Sequence, residues 1–156
     1  MPVDKVYFHE KFFNGYINSE KFRDLATFTP GDPDDQPHLD RIFDFADSVL
    51  DGKHVIGKNV YNTGYGYESM RVGHYHSGPY NNTTRAIRSH ISNENQRGAR
   101  SGPVIHYCWK GSLNELIILG YSPIKHDDPF PQINHKNNPL RNRIKIIYQS
   151  NELIDY

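Results

Sequence analysis

The chain has 156 residues, with 18 Lys and Arg against 18 Asp and Glu, so a formal net charge of zero excludes a generic nucleic-acid coat. Hydrophobic residues make up 36% and aromatic residues 13%, enough for one core, and no run approaches the roughly 18 apolar residues of a membrane span. Cys108 is the only cysteine, which excludes an intrachain disulfide. With no basic-then-apolar leader, that predicts a cytoplasmic protein.

Residues 5–28 read as helical or mixed, with Val6, Phe8, Phe12, Phe13, Ile17, Phe22, Leu25 and Phe28 as apolar anchors. Residues 29–35 contain Pro30 and Pro33 and form a polar linker that excludes helix. A helix is predicted next, because Leu39, Ile42, Phe43, Ala46, Val49 and Leu50 recur at steps of three and four. Pro37 suits its first turn and Gly52 its stop, with Asp40, Asp44 and Asp47 toward water. Glycines 57, 64 and 66 then break an aromatic stretch into turns or irregular strand. Gly64-Tyr65-Gly66 follows no clear strand and is not a phosphate-cradling loop.

Strands are predicted over residues 70–77, 104–109 and 115–121, the last two joined as a hairpin through Lys110-Gly111-Ser112. Residues 78–102 form a long polar loop with a short helix near 84–90, and residues 122–139, with four prolines, are largely loop. Residues 144–148 fit either a closing edge strand or the end of a short helix. Helices followed by antiparallel strands predict an α+β fold and a single domain over residues 1–156. N-terminal helices would pack on one face of a small antiparallel sheet and leave the other face open.

Charge is unevenly placed. Asp32, Asp34, Asp35, Asp40, Asp44 and Asp47 make the first third acidic. From Arg71 to Lys110 the basic residues are Arg71, Arg85, Arg88, Arg97, Arg100 and Lys110 against Glu94 alone, the footprint of a phosphate-facing surface. Within it, Arg71-Val72-Gly73-His74-Tyr75-His76 places two imidazoles on one face of a strand, because side chains alternate with period two. Paired imidazoles do acid–base chemistry near neutral pH, bind metals, or contact phosphate when protonated.

This strand is the first of three blocks. The second is Arg100-Ser101, followed by Val104-Ile105-His106-Tyr107-Cys108 and then Gly111; the third is Leu116-Ile117-Ile118-Leu119, leading through Pro123 to His126. In this order and spacing they resemble the YafO-type toxin family, ribosome-dependent mRNA interferases of bacterial toxin–antitoxin pairs. The likeness spans roughly residues 45–145 and is sharp from 70 to 126. It implies a RelE-like general architecture, a toxin-like core over residues 41–148 and an N-terminal extension over residues 1–40. It also implies an endoribonuclease that needs no cofactor and no metal, with mRNA, the ribosome and a cognate antitoxin as partners and no membrane. The chain departs from the family at His106, where an apolar residue is usual, and in the extra residues Pro129, Phe130 and Pro131.

Metal-independent RNA cleavage needs a base for the 2′-OH proton, an acid for the leaving 5′ oxygen, and cationic donors for the phosphorane. His74, His76 and His126 are the candidate acids and bases. Arg71 and Tyr107 complete the expected catalytic set, although strand parity puts Arg71 opposite the histidine pair. Arg85, Arg88, Arg100 and Lys110 are the expected RNA contacts, since a guanidinium fork holds two phosphate oxygens. Tyr75 or Tyr107 would stack on a base. Two alternatives stand beside this reading. One is a metal-dependent enzyme in which His74 and His76 are joined by His106, His126 or His135. The other is a non-catalytic RNA- or protein-binding module.

Overall fold

Six strands form one sheet in the order β2-β3-β4-β5-β1-β6, where β1 is Lys5–His9, β2 Asn59–Tyr61, β3 Val72–His76, β4 Val104–Lys110, β5 Glu115–Ser122 and β6 Leu153–Asp155. The computed structural model describes residues 3–64, 66–67, 70–126 and 131–156; Tyr65, Pro129 and Phe130 lie outside the described residues. The class is α+β, as expected, but the sheet is mixed. β1 runs parallel to β5, while every other neighbouring pair is antiparallel.

The N-terminal segment therefore departs from its helical expectation. Val6, Tyr7 and Phe8 are buried on both sides, which suits a strand flanked by two others better than an amphipathic helix. Only Glu10–Phe13 forms a helix there (α1), and Leu25–Thr27 adds a single 3-10 turn. Residues 5–9 belong to the sheet itself.

Helix α2, Gln36–Leu50, follows its predicted stripe: Leu39, Ile42, Phe45, Ala46 and Val49 are buried. It ends in a Schellman motif, with the Gly52 N–H donating to Val49 O and the Lys53 N–H to Ser48 O. Gly52 sits at φ +68°, where a side chain would be strained. The stripe shares one core with Phe8, Tyr75, Ile105, Tyr107, Leu116 and Ile118, and the Phe45 ring lies 4.9 Å from that of Tyr75. Each large side chain buried here contributes about 2 kcal/mol of transfer free energy.

The opposite face is not left open along its length. Tyr7, Val72, Cys108, Ile117 and Leu119 are covered by Phe22, Tyr67 and Leu140, which come respectively from residues 17–28, the connection between β2 and β3, and residues 131–148. A bulge at Leu119 shifts the β4–β5 register, so that His106 pairs with Gly120 and Tyr107 with Ile118.

Residues 78–102 contain no helix. They are pinned by isolated bridges to the chain before and within β2, Val55 to Ser89, Gly57 to Ala99 and Asn59 to Asn95. Residues 144–148 form neither strand nor helix, and the closing edge is β6. Among the described residues, no helix is long and apolar enough to cross a membrane.

Candidate active site

His74 and His76 project from β3 to the face away from α2, as alternation requires, and remain half-buried. His126 joins them from the segment after β5. The rings of His74 and His126 are 5.0 Å apart, those of His74 and His76 5.9 Å, and those of His76 and His126 6.0 Å. One ring nitrogen from each residue lies within 4.8 Å of the other two, the arrangement of a three-imidazole metal ligand set.

Backbone packing explains how His126 arrives. Gly102 approaches Ile124 so closely that a Cβ would sit 2.1 Å from the Ile124 carbonyl oxygen. The glycine lets the chain leaving β5 lie against residues 101–103 and return over the histidine face.

Each strand imidazole is held by one nitrogen. His74 Nδ1 lies 2.9 Å from Asn62 Oδ1, and His76 Nδ1 lies 2.6 Å from the Ser101 carbonyl oxygen. Both oxygens accept, which favours the proton on Nδ1 and the lone pair on Nε2; the Ser101 N–H also approaches the His76 Nδ1, at 3.3 Å. Ser101 is fixed in turn, its hydroxyl donating to Pro103 O and accepting from the Gly78 N–H.

Burial holds His74 at a pKa of about 3, with the neighbouring rings of His126 and His76 and the Lys58 ammonium adding to the effect. Burial also lowers His76, against the hydrogen bond to Ser101, which raises it; His126, Lys58 and Arg100 lower it further. His74 is thus neutral at physiological pH and keeps a ring nitrogen with a free lone pair; it is not a standing proton donor.

The fourth imidazole, His106, pairs with His74 across β3–β4 and lies fully buried beneath the cluster, within electrostatic reach of all three rings. It is 1% exposed, its Nε2 is 2.8 Å from Ser122 Oγ, and the Phe22 ring stacks on it at 5.8 Å. Phe22 fits because Gly120 has no side chain: a Cβ there would meet the ring at 2.1 Å. His135 lies on the surface, where its Nδ1 accepts the Asn137 N–H.

The remaining expected residues divide. Tyr107 is fully buried on the α2 side, and its hydroxyl donates to Asn59 Oδ1 at 2.6 Å, so it is a core residue and does not reach the histidines. Tyr75 is buried on that same side. Arg71 sits in the turn before β3 and donates to the Gly111 carbonyl, at the end of the sheet away from His76. Lys110 ends β4 at that same far end and pairs with Glu115 at 3.5 Å. Arg88 lines a hollow with Arg41, His54, Tyr75 and Tyr80 on the helix side. Arg85 and Arg100 do come together, with Arg97, around a surface hollow also lined by Asn81, Asn82 and Thr84.

Lys58 and Asn62 also reach this face, outside the residues expected from sequence. They alternate with Val60 along β2 and its continuation, which brings all three to the histidine face. Period two was the available signal, hidden by the glycines and tyrosines around it. A second cationic hollow, lined by Lys11, Lys21, Lys136 and Arg141, includes Phe22, the ring that stacks on His106.

No family model, no curated protein and no solved structure matches the chain.

Proposed function

We propose that the protein is an endoribonuclease of toxin type that cuts messenger RNA on the translating ribosome, with His74, His76 and His126 as its reaction centre and a cognate antitoxin as its inhibitor. One observation carries this reading: three imidazoles converge, half-buried, within the electrostatic reach of Lys58 and Arg100. The blocks that resemble the YafO-type toxins include the strand bearing His74 and His76 and the segment delivering His126. The RelE-like architecture implied by that resemblance is part of the same proposal.

In the cleavage step the 2′-OH gives up its proton, O2′ bonds to phosphorus, the P–O5′ bond breaks and O5′ takes up a proton. The neutral rings of His74 and His76 offer accepting nitrogens at this place. Lys58 and Arg100 offset the charge that grows on the phosphorane. Arg85, Arg97 and Arg100 hold a neighbouring phosphate through their guanidinium forks. An acidic antitoxin segment laid over these arginines would close the site.

Dependence on the ribosome is what the resemblance to the YafO-type toxins implies, and the charge balance is compatible with it. A chain of zero net charge captures free RNA weakly, and a ribosome that presents mRNA in fixed geometry supplies the positioning the protein lacks. Tightly controlled expression in bacteria tests the proposal, comparing wild type with His126→Ala for growth and for new mRNA 5′ ends. Growth arrest with new ends inside translated frames, both lost in the variant, is expected. Arrest without new ends would refute cleavage and leave a binding module.

A further inference from the structure

We infer that His74, His76 and His126 hold a divalent transition-metal ion of the zinc class through their imidazole nitrogens. The inference rests on the trio being the working site, and it identifies what occupies it. The argument is geometric. A tetrahedral ion bound at about 2.0–2.1 Å by three imidazoles separates the ligand nitrogens by about 3.3 Å. The three nitrogens already lie within 4.8 Å of one another, so closing on an ion takes side-chain rotations of an ångström or so.

The surroundings are those of a ligand set. A metal-binding imidazole usually donates its second N–H to a carbonyl, carboxylate or amide oxygen, which fixes the tautomer and aims the other nitrogen. His74 does this to Asn62 Oδ1 and His76 to the Ser101 carbonyl. Two anchors of this kind on adjacent same-face residues of one strand aim the second nitrogen of each ring, with its lone pair, at the place where the three residues converge. An acid–base pair for RNA cleavage needs one donor and one acceptor, whereas two acceptors side by side suit a cation. Imidazole ligands select zinc, copper, nickel or iron over magnesium and calcium.

Three protein ligands leave a fourth position, which characterises catalytic rather than structural zinc centres. A water there, having lost a proton to solvent under the ion's charge, would as hydroxide take the 2′-OH proton while O2′ bonds to phosphorus, then return that proton to O5′ as the P–O5′ bond breaks, the ion meanwhile drawing charge from a phosphoryl oxygen. Lys58 and Arg100, both within electrostatic reach of these rings, would favour an anion at that position. Metal dependence replaces the metal-independent chemistry expected from the sequence resemblance, at the same three residues.

The test uses the full-length chain without a histidine tag, stripped with chelator and titrated with Zn²⁺ by calorimetry, with the visible spectrum of the Co²⁺ form as an independent readout. One equivalent is expected to bind, with a tetrahedral cobalt spectrum. His126→Ala should weaken binding about a hundredfold, and Asn62→Leu, which removes only the anchor of His74, about tenfold or more. His54→Ala, outside the trio, should bind as wild type, and circular dichroism checks that each variant is folded. Absence of stoichiometric binding, or binding unchanged in His126→Ala, overturns the inference. RNA cleavage that persists undiminished in chelator also overturns it, while leaving the endoribonuclease reading in place. Stoichiometric binding without cleavage of ribosome-bound mRNA does the reverse, upholding the metal and refuting the substrate.

Discussion

Replacing Arg143 by Met should cost this fold about 3–5 kcal/mol, because it strips the partner from a buried carboxylate. Arg143 and Asp24 are 4% and 0% exposed and meet through two contacts, Nη1 to Oδ1 at 2.7 Å and Nη2 to Oδ2 at 3.1 Å. Nη1 also donates to the Leu119 carbonyl at 2.9 Å, and the guanidinium lies over the Phe22 ring at 5.1 Å. Methionine keeps the stacking on Phe22 but leaves Asp24 with the Ile17 N–H and Leu119 O with one bond fewer. The pair joins the segment around residue 24 to the one around residue 143 across β5, so its loss also loosens Phe22 above His106. Against a total stability of about 5–15 kcal/mol for a domain of this kind, that is a large fraction. Urea unfolding at pH 7 measures it, with the m value unchanged if the variant remains two-state. The double variant Asp24→Asn/Arg143→Met should lose about 2 kcal/mol less than the two singles added together. A loss under about 1 kcal/mol in Arg143→Met, or simple additivity in the cycle, would refute the reasoning.

Burial holds His9 at about 4 from an ordinary 6.5, with Arg143, Lys11 and Lys145 pushing the same way and Glu152 opposing them. Its neutral Nδ1 accepts the Lys11 N–H at the start of α1. Its contribution is therefore intact above pH 6.5, declines as the pH falls toward 4 and is lost below, about 3 kcal/mol in all at ~1.4 kcal/mol per pH unit. His9→Asn, which keeps a cap acceptor, should show a shallower fall in urea midpoint between pH 7 and 4.5; equal slopes would contradict the assignment. Tyr107→Phe should destabilise by about 1–2 kcal/mol through the unpaired Asn59 Oδ1, yet cleave RNA like wild type, and loss of cleavage in a folded protein would return Tyr107 to the site. Lys58→Ala should slow cleavage about 10- to 100-fold and tighten Zn²⁺ binding by about fivefold, since it removes a nearby cation. Weaker metal binding in that variant would count against the placement of the ion.

α2 was legible because its stripe, Pro37 and Gly52 all agree on one element, and β3 to β5 because short apolar runs are punctuated by Gly111 and Pro103. β1 was not. A buried strand has no alternation, and its parallel partner β5 lies over a hundred residues away, a pairing that local pattern does not encode. Parity in the sequence already separated His106 from Tyr107. It did not say which face α2 would cover, nor that Phe22 would close over His106 through the space left by Gly120. The trio was nameable residue by residue, but its convergence depends on the return of the chain past Gly102, a tertiary contact. Lys58 and Asn62 became visible only once β2 was in register with β3.

The central claim is that three imidazoles form one reaction centre acting on RNA. End-labelled mRNA bound to translating ribosomes, incubated with Zn²⁺-loaded wild type and with His74→Ala and His126→Ala of verified fold, tests it most directly. The account predicts cleavage by wild type that falls about 100- to 10,000-fold in each variant. Cleavage by both variants at the wild-type rate, or no cleavage by the loaded wild type, would contradict it.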